Sequence, residues 1–270
     1  MFSLTRLVRV IRYLERAPEV LRCSGLMQDW RRVTAAYLGL TSLRYPYEAR
    51  LRDRTVYRFA EFYDLETFWQ IYCRGVYECL STDRCIVDIG ANIGLFSCFA
   101  ARSNPACVVY AVEPFPGTYA RLVDHVRRNG LSDRVRCLDI ALSGTAGTAS
   151  MSSGDRPSQM VRLESSPGAG TTAVATETLS GLLTQIPGPG IDLIKMDIEG
   201  SEYEVVLSTP ATTLERVNRL TLEFHQSSQG TPETLVQHLK TCGFRLTRRV
   251  GDGDYGLLYF DRAAQAGSRP

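Results

Sequence analysis

The sequence predicts an α/β protein built on a mostly parallel sheet. From Cys85 onward, short apolar and partly β-branched runs alternate with segments of helical periodicity. Polar residues (Asp88, Glu113, Asp197 and His225) stand where four of those runs end. The last two runs, Phe244 to Val250 and Gly256 to Phe260, are joined by Gly251-Asp252-Gly253-Asp254, the mark of a closing antiparallel pair.

The chain has 270 residues, 44% apolar and 22% charged, which suits a soluble globular protein with a substantial core. A net charge of +2 gives no global pointer to nucleic acid. The eight cysteines are scattered, with no CxxC pair or His/Cys spacing of a zinc site. A reducing, cytoplasmic compartment is expected, and no metal. No run approaches the ~20 apolar residues that cross a bilayer. The expected domains are a helical extension over 1–84, a main domain over 85–262 and a loose tail over 263–270.

In the extension, Leu4, Leu7, Val8, Ile11 and Leu14 share one helical face, and Arg6, Arg9, Arg12 and Arg16 the other. This helix could pack on the main domain or a partner subunit, a homo-oligomer included. It could lie on an anionic membrane, making the protein membrane-peripheral. A targeting peptide is less compatible with Glu15 and Glu19. Pro18 and Pro46 are expected breaks. The aromatics Phe59, Phe62, Tyr63, Phe68, Trp69, Tyr72 and Tyr77 suit a core, or in part a wall or lid over a site.

The main domain opens with Cys85-Ile86-Val87 as a buried strand. It stops in Asp88-Ile89-Gly90-Ala91-Asn92-Ile93-Gly94, and Leu95, Phe96, Phe99 and Ala100 follow at helical spacing. Strand, glycine turn and helix form a cradle for a nucleotide-like ligand. Gly90 would admit the ligand, Asn92 would tolerate a left-handed turn, and Gly94 would let helix and strand pack closely. The spacing is not G-x-G-x-x-G, which disfavours a nicotinamide. Val108 to Val112 is the second strand, Tyr119 to Asn129 a helix, and Val135 to Ile140 the third strand. Residues 144–171 read as loops with room for a hairpin. Glu177 to Gln185 reads as a short helix, Ile191 to Met196 as the fourth strand, and a helix then runs to Leu207. Leu220 to Phe224 is the fifth strand and Pro232 to Cys242 the last helix.

Ligands of open α/β sheets sit beyond the carboxyl ends of the strands. Glu113 lies 19 residues after Gly94, where an acid would accept from two ribose hydroxyls. Asp197 and Glu199 follow a buried strand. Asp197 needs a cationic partner there, from Lys195 or the ligand. Glu202 reads as a surface acid favoured at a helix start. His225 is either a satisfied core histidine or a general base.

The blocks VDIGANIG (87–94), VYAVEP (109–114), IALSG (140–144), LIKMDIEGSE (193–202) and LEFH (222–225) resemble, in order and spacing, the FkbM-type S-adenosylmethionine-dependent methyltransferases. The resemblance spans roughly 85–245. It implies a seven-stranded Rossmann-like class I methyltransferase fold, with helices on both faces of the sheet. It also implies methyl transfer, usually to a hydroxyl of a sugar, glycolipid or secondary metabolite, so the acceptor is a small molecule or glycan. Asp88, Gly90, Ala91, Asn92 and Gly94 would border the methionine part of the cofactor. Glu113, with Pro114 beside it, would hold the ribose, and Ile140 and Ala141 would lie by the adenine. Asp197 and Glu199 would face the sulfonium and acceptor. His225 is the first candidate base and Glu199 the second. Asp197 could instead help hold a divalent ion, but no second oxygen ligand stands out in the sequence. Ser180 departs from the aspartate common at its place, and a structural effect is expected. A nicotinamide oxidoreductase and a non-catalytic S-adenosylmethionine-binding module are the alternatives.

Overall fold

The computed structural model describes residues 16–152, 163–164, 171–251, 253 and 255–263. The arginine-rich face read in residues 1–15, the tail after 263 and much of the 144–171 segment lie outside them. The chain divides into two compact units, Met1–Glu78 and Cys79–Pro270.

The first unit has helices Ala17–Leu26 and Trp30–Tyr37, then an antiparallel pair, β1 (Tyr47–Arg50) and β2 (Val56–Phe59). This pair is an addition to the helices expected there. Pro18 opens the first helix rather than breaking one, since its missing N–H falls in the turn that has no partner for it. Helix Phe62–Phe68 continues as a wider π turn over Trp69–Arg74, which closes at Gly75 with a left-handed φ of 73°. Tyr57, Phe59, Phe68 and Tyr72 are buried, with Phe68 and Tyr72 stacked at 4.7 Å. Phe62, by contrast, is exposed.

The second unit carries a seven-stranded sheet. Its strands are β3 (Cys85–Ile89), β4 (Val108–Val112), β5 (Val135–Leu138), β10 (Ile191–Met196), β11 (Val217–His225), β12 (Phe244–Val250) and β13 (Tyr255–Arg262). Their order is β12-β13-β11-β10-β3-β4-β5. The five strands from β11 to β5 are parallel, and β13 inserts antiparallel between β11 and β12. This is the predicted Rossmann-like sheet. The near-continuous apolar runs are explained by burial on both faces: Ile86, Val109, Ile194 and Leu222 are each wholly out of water.

Between β5 and β10, where loops with room for a hairpin are expected over 144–171, the chain builds a second sheet. β6 (Ile140–Leu142), β7 (Gly147–Ser152), β8 (Leu163–Glu164) and β9 (Thr171–Glu177) form it in the order β6-β9-β7-β8. The expected third strand is therefore split. Val135–Leu138 stays in the main sheet, while Ile140–Leu142 pairs parallel to β9. Ala141, Met151 and Val174 make the small core of this sheet, with Phe115 packed against it. Ser180, in helix Leu179–Gln185, shares a 2.9 Å hydrogen bond with Thr213.

Strand order reverses at β3. The chain runs outward through β4 and β5, then returns to lay β10 on the other side of β3. The carboxyl ends of β3 and β10 thus flank the crevice in which such sheets bind ligands.

Candidate active site

The glycine turn after β3 is shaped first by the protein itself. Gly90 has φ 75°, and a Cβ there would stand 1.7 Å from the backbone oxygen of Asp197. Its missing side chain makes room for the β10 loop. Gly94 (φ 83°) likewise admits Leu122 of helix Pro116–Arg128, with Leu122 Cδ1 2.5 Å from where its Cβ would be. The close contact is between helices, not helix and strand. Asn92 adopts the left-handed turn predicted for it, with φ 50°.

Asp88 is wholly buried. One carboxylate oxygen accepts from Ser97 Oγ at 2.6 Å, and the other lies 3.2 Å from Lys195 Nζ. Asp88 thus braces the turn from beneath. Lys195, itself buried, donates to the Gly90 carbonyl at 2.7 Å and lies 3.9 Å from Asp197. Burial alone would lower its pKa, but Asp88 and Asp197 outweigh that and raise it. The lysine is therefore a fixed cation tying β3 to β10. The sequence marked it only as a partner for Asp197.

Glu113 ends β4 with both oxygens engaged. Asn92 N donates to Oε2 at 2.9 Å and Phe115 N to Oε1 at 3.0 Å. Each oxygen keeps a second lone pair for a hydroxyl donor. Burial pushes this carboxyl up to about 7, against the pull of the two amides. Pro114 is half-buried beside it, and Ala91 is buried within the turn. The side-chain oxygen of Asn92 is buried and has no hydrogen-bond partner. Ile140 and Ala141 sit on β6, where Ala141 turns into the small core of the second sheet.

The loop after β10 brings Asp197, Glu199 and His225 together. Asp197 and Glu199 are about a quarter exposed, at 27% and 26% of their side chains. His225 Nε2 lies 3.6 Å from Glu199 Oε2, and Nδ1 is 2.9 Å from Glu202 Oε1. Burial alone would lower the histidine pKa. The Glu202 hydrogen bond and the charges of Glu202, Glu199 and Asp197 prevail, and it is pushed up to about 9. Glu199 has φ 54°, a left-handed backbone that a glutamate rarely adopts.

Two neighbours were not anticipated. Glu202, expected on the surface, is fully buried. Glu223 is buried beside His225, and its carboxylate holds the Tyr255 hydroxyl, whose pKa is raised by burial first and then by Glu223. Glu223 also supplies the oxygen donor that the sequence did not reveal. Asp197, Glu223 and His225 each bring one donor atom within 4.8 Å of the others, a spacing compatible with a cation. The three are already engaged by Lys195, Tyr255 and Glu202.

A crevice walled by carboxylates, with one fixed lysine behind them, suits a ligand that is cationic at one end and bears hydroxyls at the other. Residues 88–246 match the methyltransferase FkbM domain. The chain belongs to this family. It is 29% identical over 220 residues to methyltransferase sdnD of Sordaria araneosa, covering 66% of this chain and 85% of that one. It is 28% identical over 213 residues to the 31-O-demethyl-FK506 methyltransferase FkbM of Streptomyces tacrolimicus, covering 63% and 80%. A ribosomal protein L11 methylase from Lactobacillus delbrueckii subsp. bulgaricus overlaps 70% of this chain and 73% of its own, at 14% identity and a TM-score of 0.41. The protein is thus a methyltransferase, and the nicotinamide alternative falls with the family assignment.

Proposed function

We propose that this methyltransferase uses S-adenosylmethionine and methylates a hydroxyl oxygen of a small molecule, a secondary metabolite or a sugar-bearing one. The observation that carries this reading is the pairing of Glu113 at one end of the crevice with the Asp197–Glu199–His225 cluster at the other. S-adenosylmethionine, when bound, supplies a methyl group activated on a cationic sulfur. Glu113 suits the ribose, and Ile140 and Ala141 suit the adenine. The unpartnered Asn92 oxygen suits the ammonium end, beside Gly90, Ala91 and Gly94. Asp197 and Glu199 balance the sulfonium charge. The relative described as a 31-O-demethyl-FK506 methyltransferase supports an oxygen acceptor on a small molecule.

An alcohol attacks poorly until its proton leaves, so a positioned base is worth ~10²–10⁴-fold. His225 receives that proton at Nε2, the nitrogen not taken by Glu202, and Glu199 beside it is the second candidate. In the free protein a histidine pushed up to about 9 is largely protonated at neutral pH. A sulfonium held by the same carboxylates would oppose that charge and lower it. Holding the acceptor oxygen in line with the methyl group can supply a further ~7–11 kcal/mol.

Calorimetry with S-adenosylmethionine and S-adenosylhomocysteine is the first test, and no affinity for either would sink the reading. The second follows labelled methyl groups from the donor into hydroxyl-bearing acceptors. Label that appears only on nitrogen acceptors would overturn the oxygen assignment. Turnover by His225→Ala equal to the parent's would move the proton to Glu199.

A further inference from the structure

We infer that Glu202 is the positioning residue of the acceptor side, holding His225 by Nδ1 and fixing the Ile198–Gly200 backbone that carries Glu199. An acid in the first turn of a helix ordinarily stands in water and gains from the helix dipole. Glu202 instead opens helix Glu202–Ser208 with none of its surface exposed. A carboxylate out of water persists only where donors replace its hydration. Glu202 has three. Oε1 accepts from His225 Nδ1 at 2.9 Å and from Ile198 N at 3.1 Å, and Oε2 accepts from Gly200 N at 2.8 Å.

Two consequences follow for the chemistry. With Nδ1–H given to a carboxylate, the neutral imidazole carries its lone pair on Nε2, the nitrogen facing Glu199. The amides donated to Oε1 and Oε2 belong to the residues on either side of Glu199, whose φ of 54° needs support. One buried carboxylate thus aims both groups able to receive the acceptor's proton. The groups facing His225 are Glu202 from its helix, Asp197 and Glu199 from the β10 loop, Glu223 on its own strand and the Tyr255 ring on β13, at 5.7 Å. Among them only Glu202 is hydrogen-bonded to Nδ1.

This rests on the reading that His225 takes the proton, so the test observes the histidine without turnover. The chain has three histidines, His125, His225 and His238, so ¹⁵N-histidine NMR is tractable, with His225→Gln identifying the signal. In the parent, the neutral form should be protonated at Nδ1 and the midpoint should lie near 9. In Glu202→Gln the midpoint should fall by about 1–3 pH units and the two tautomers should mix. An unchanged midpoint and tautomer in a variant that still binds S-adenosylhomocysteine would overturn the inference and leave Glu202 a structural brace. If Glu202→Gln does not fold, Glu202→Asp keeps the charge but shortens its reach. A lowered midpoint or lost tautomer preference there supports the inference, and parent-like values overturn it. Failure of the parent to bind S-adenosylhomocysteine would strike the functional reading alone, because the histidine signals do not depend on the ligand.

Discussion

On the proposed reading, the buried carboxyl of Glu113 would tie ligand binding to pH. Its folded value, about 7, lies above the ordinary 4.5 because burial disfavours the charge. The sign for stability follows: the protonated form suits the fold, so stability is fullest below about 4.5 and declines as pH rises through about 7. Hydroxyl donors from a ribose favour the ionised form, so binding should lower this pKa. S-adenosylhomocysteine affinity should therefore rise between about pH 5.5 and 8 in calorimetric titrations. Glu113→Gln should bind more weakly and with a flat profile over that range. A parent profile as flat as the variant's would remove Glu113 from the ribose site. At Gly90 the constraint is steric. Alanine must take a left-handed φ and displace the Asp197 carbonyl, for a combined cost of about 2–5 kcal/mol, measurable by denaturant unfolding. The Asp197–Glu223–His225 cluster makes a different claim. These three side chains are engaged by Lys195, Tyr255 and Glu202, so dialysis against EDTA should leave turnover unchanged, whereas a hydroxyl activated by a metal would lose turnover with the ion.

At the scale of elements, legibility followed burial. The strands packed on both faces are clear in the sequence because runs such as Ile86-Val87, Val108 to Val112 and Leu193-Ile194 are apolar and bounded by turn signals. Leu220 to Phe224 was short only at its ends, the strand running from Val217 to His225. The second sheet was illegible for the opposite reason. Gly147–Ser152 and Thr171–Glu177 are rich in Gly, Ser, Thr and Ala, and among the described residues their apolar inward anchors are small or few: Ala149, Met151 and Val174. Such residues do not show a two-residue period strongly enough to be told from a loop. The site was partly legible for a related reason. Asp88, Glu113, Asp197 and His225 could be found because they end strands. Glu202 and Glu223 could not, because a glutamate beside a helix start or inside a strand looks solvent-facing until its burial is known. The helix after β9 offers a modest check. Thr178 caps it by accepting from Gly181 N at 3.0 Å, so Thr178→Ala should cost about 0.5–2 kcal/mol, read as a lower midpoint of thermal unfolding.

At the scale of the molecule, every residue assigned to cofactor or acceptor lies in the unit Cys79–Pro270, and none in Met1–Glu78. No helix among the described residues is long and apolar enough to cross a membrane. Whatever the arginine-rich first residues do, therefore, they need not serve the methyl donor. Deleting residues 1–15 should leave S-adenosylhomocysteine affinity within about threefold, under about 0.7 kcal/mol. The same deletion separates the readings of that segment. Its arginines Arg6, Arg9 and Arg12 would each add about 1 kcal/mol on an anionic surface, and the apolar face of Leu4, Leu7, Val8, Ile11 and Leu14 would add more. If the segment lies on membranes, co-sedimentation with phosphatidylserine vesicles should be present in the full chain and largely lost in the truncated one. If it packs on protein, sedimentation with vesicles should be equal for both, and the truncation should instead change the sedimentation coefficient or the unfolding midpoint. A drop in cofactor affinity well beyond threefold would place the segment in the service of the site, against the division of labour between the two units.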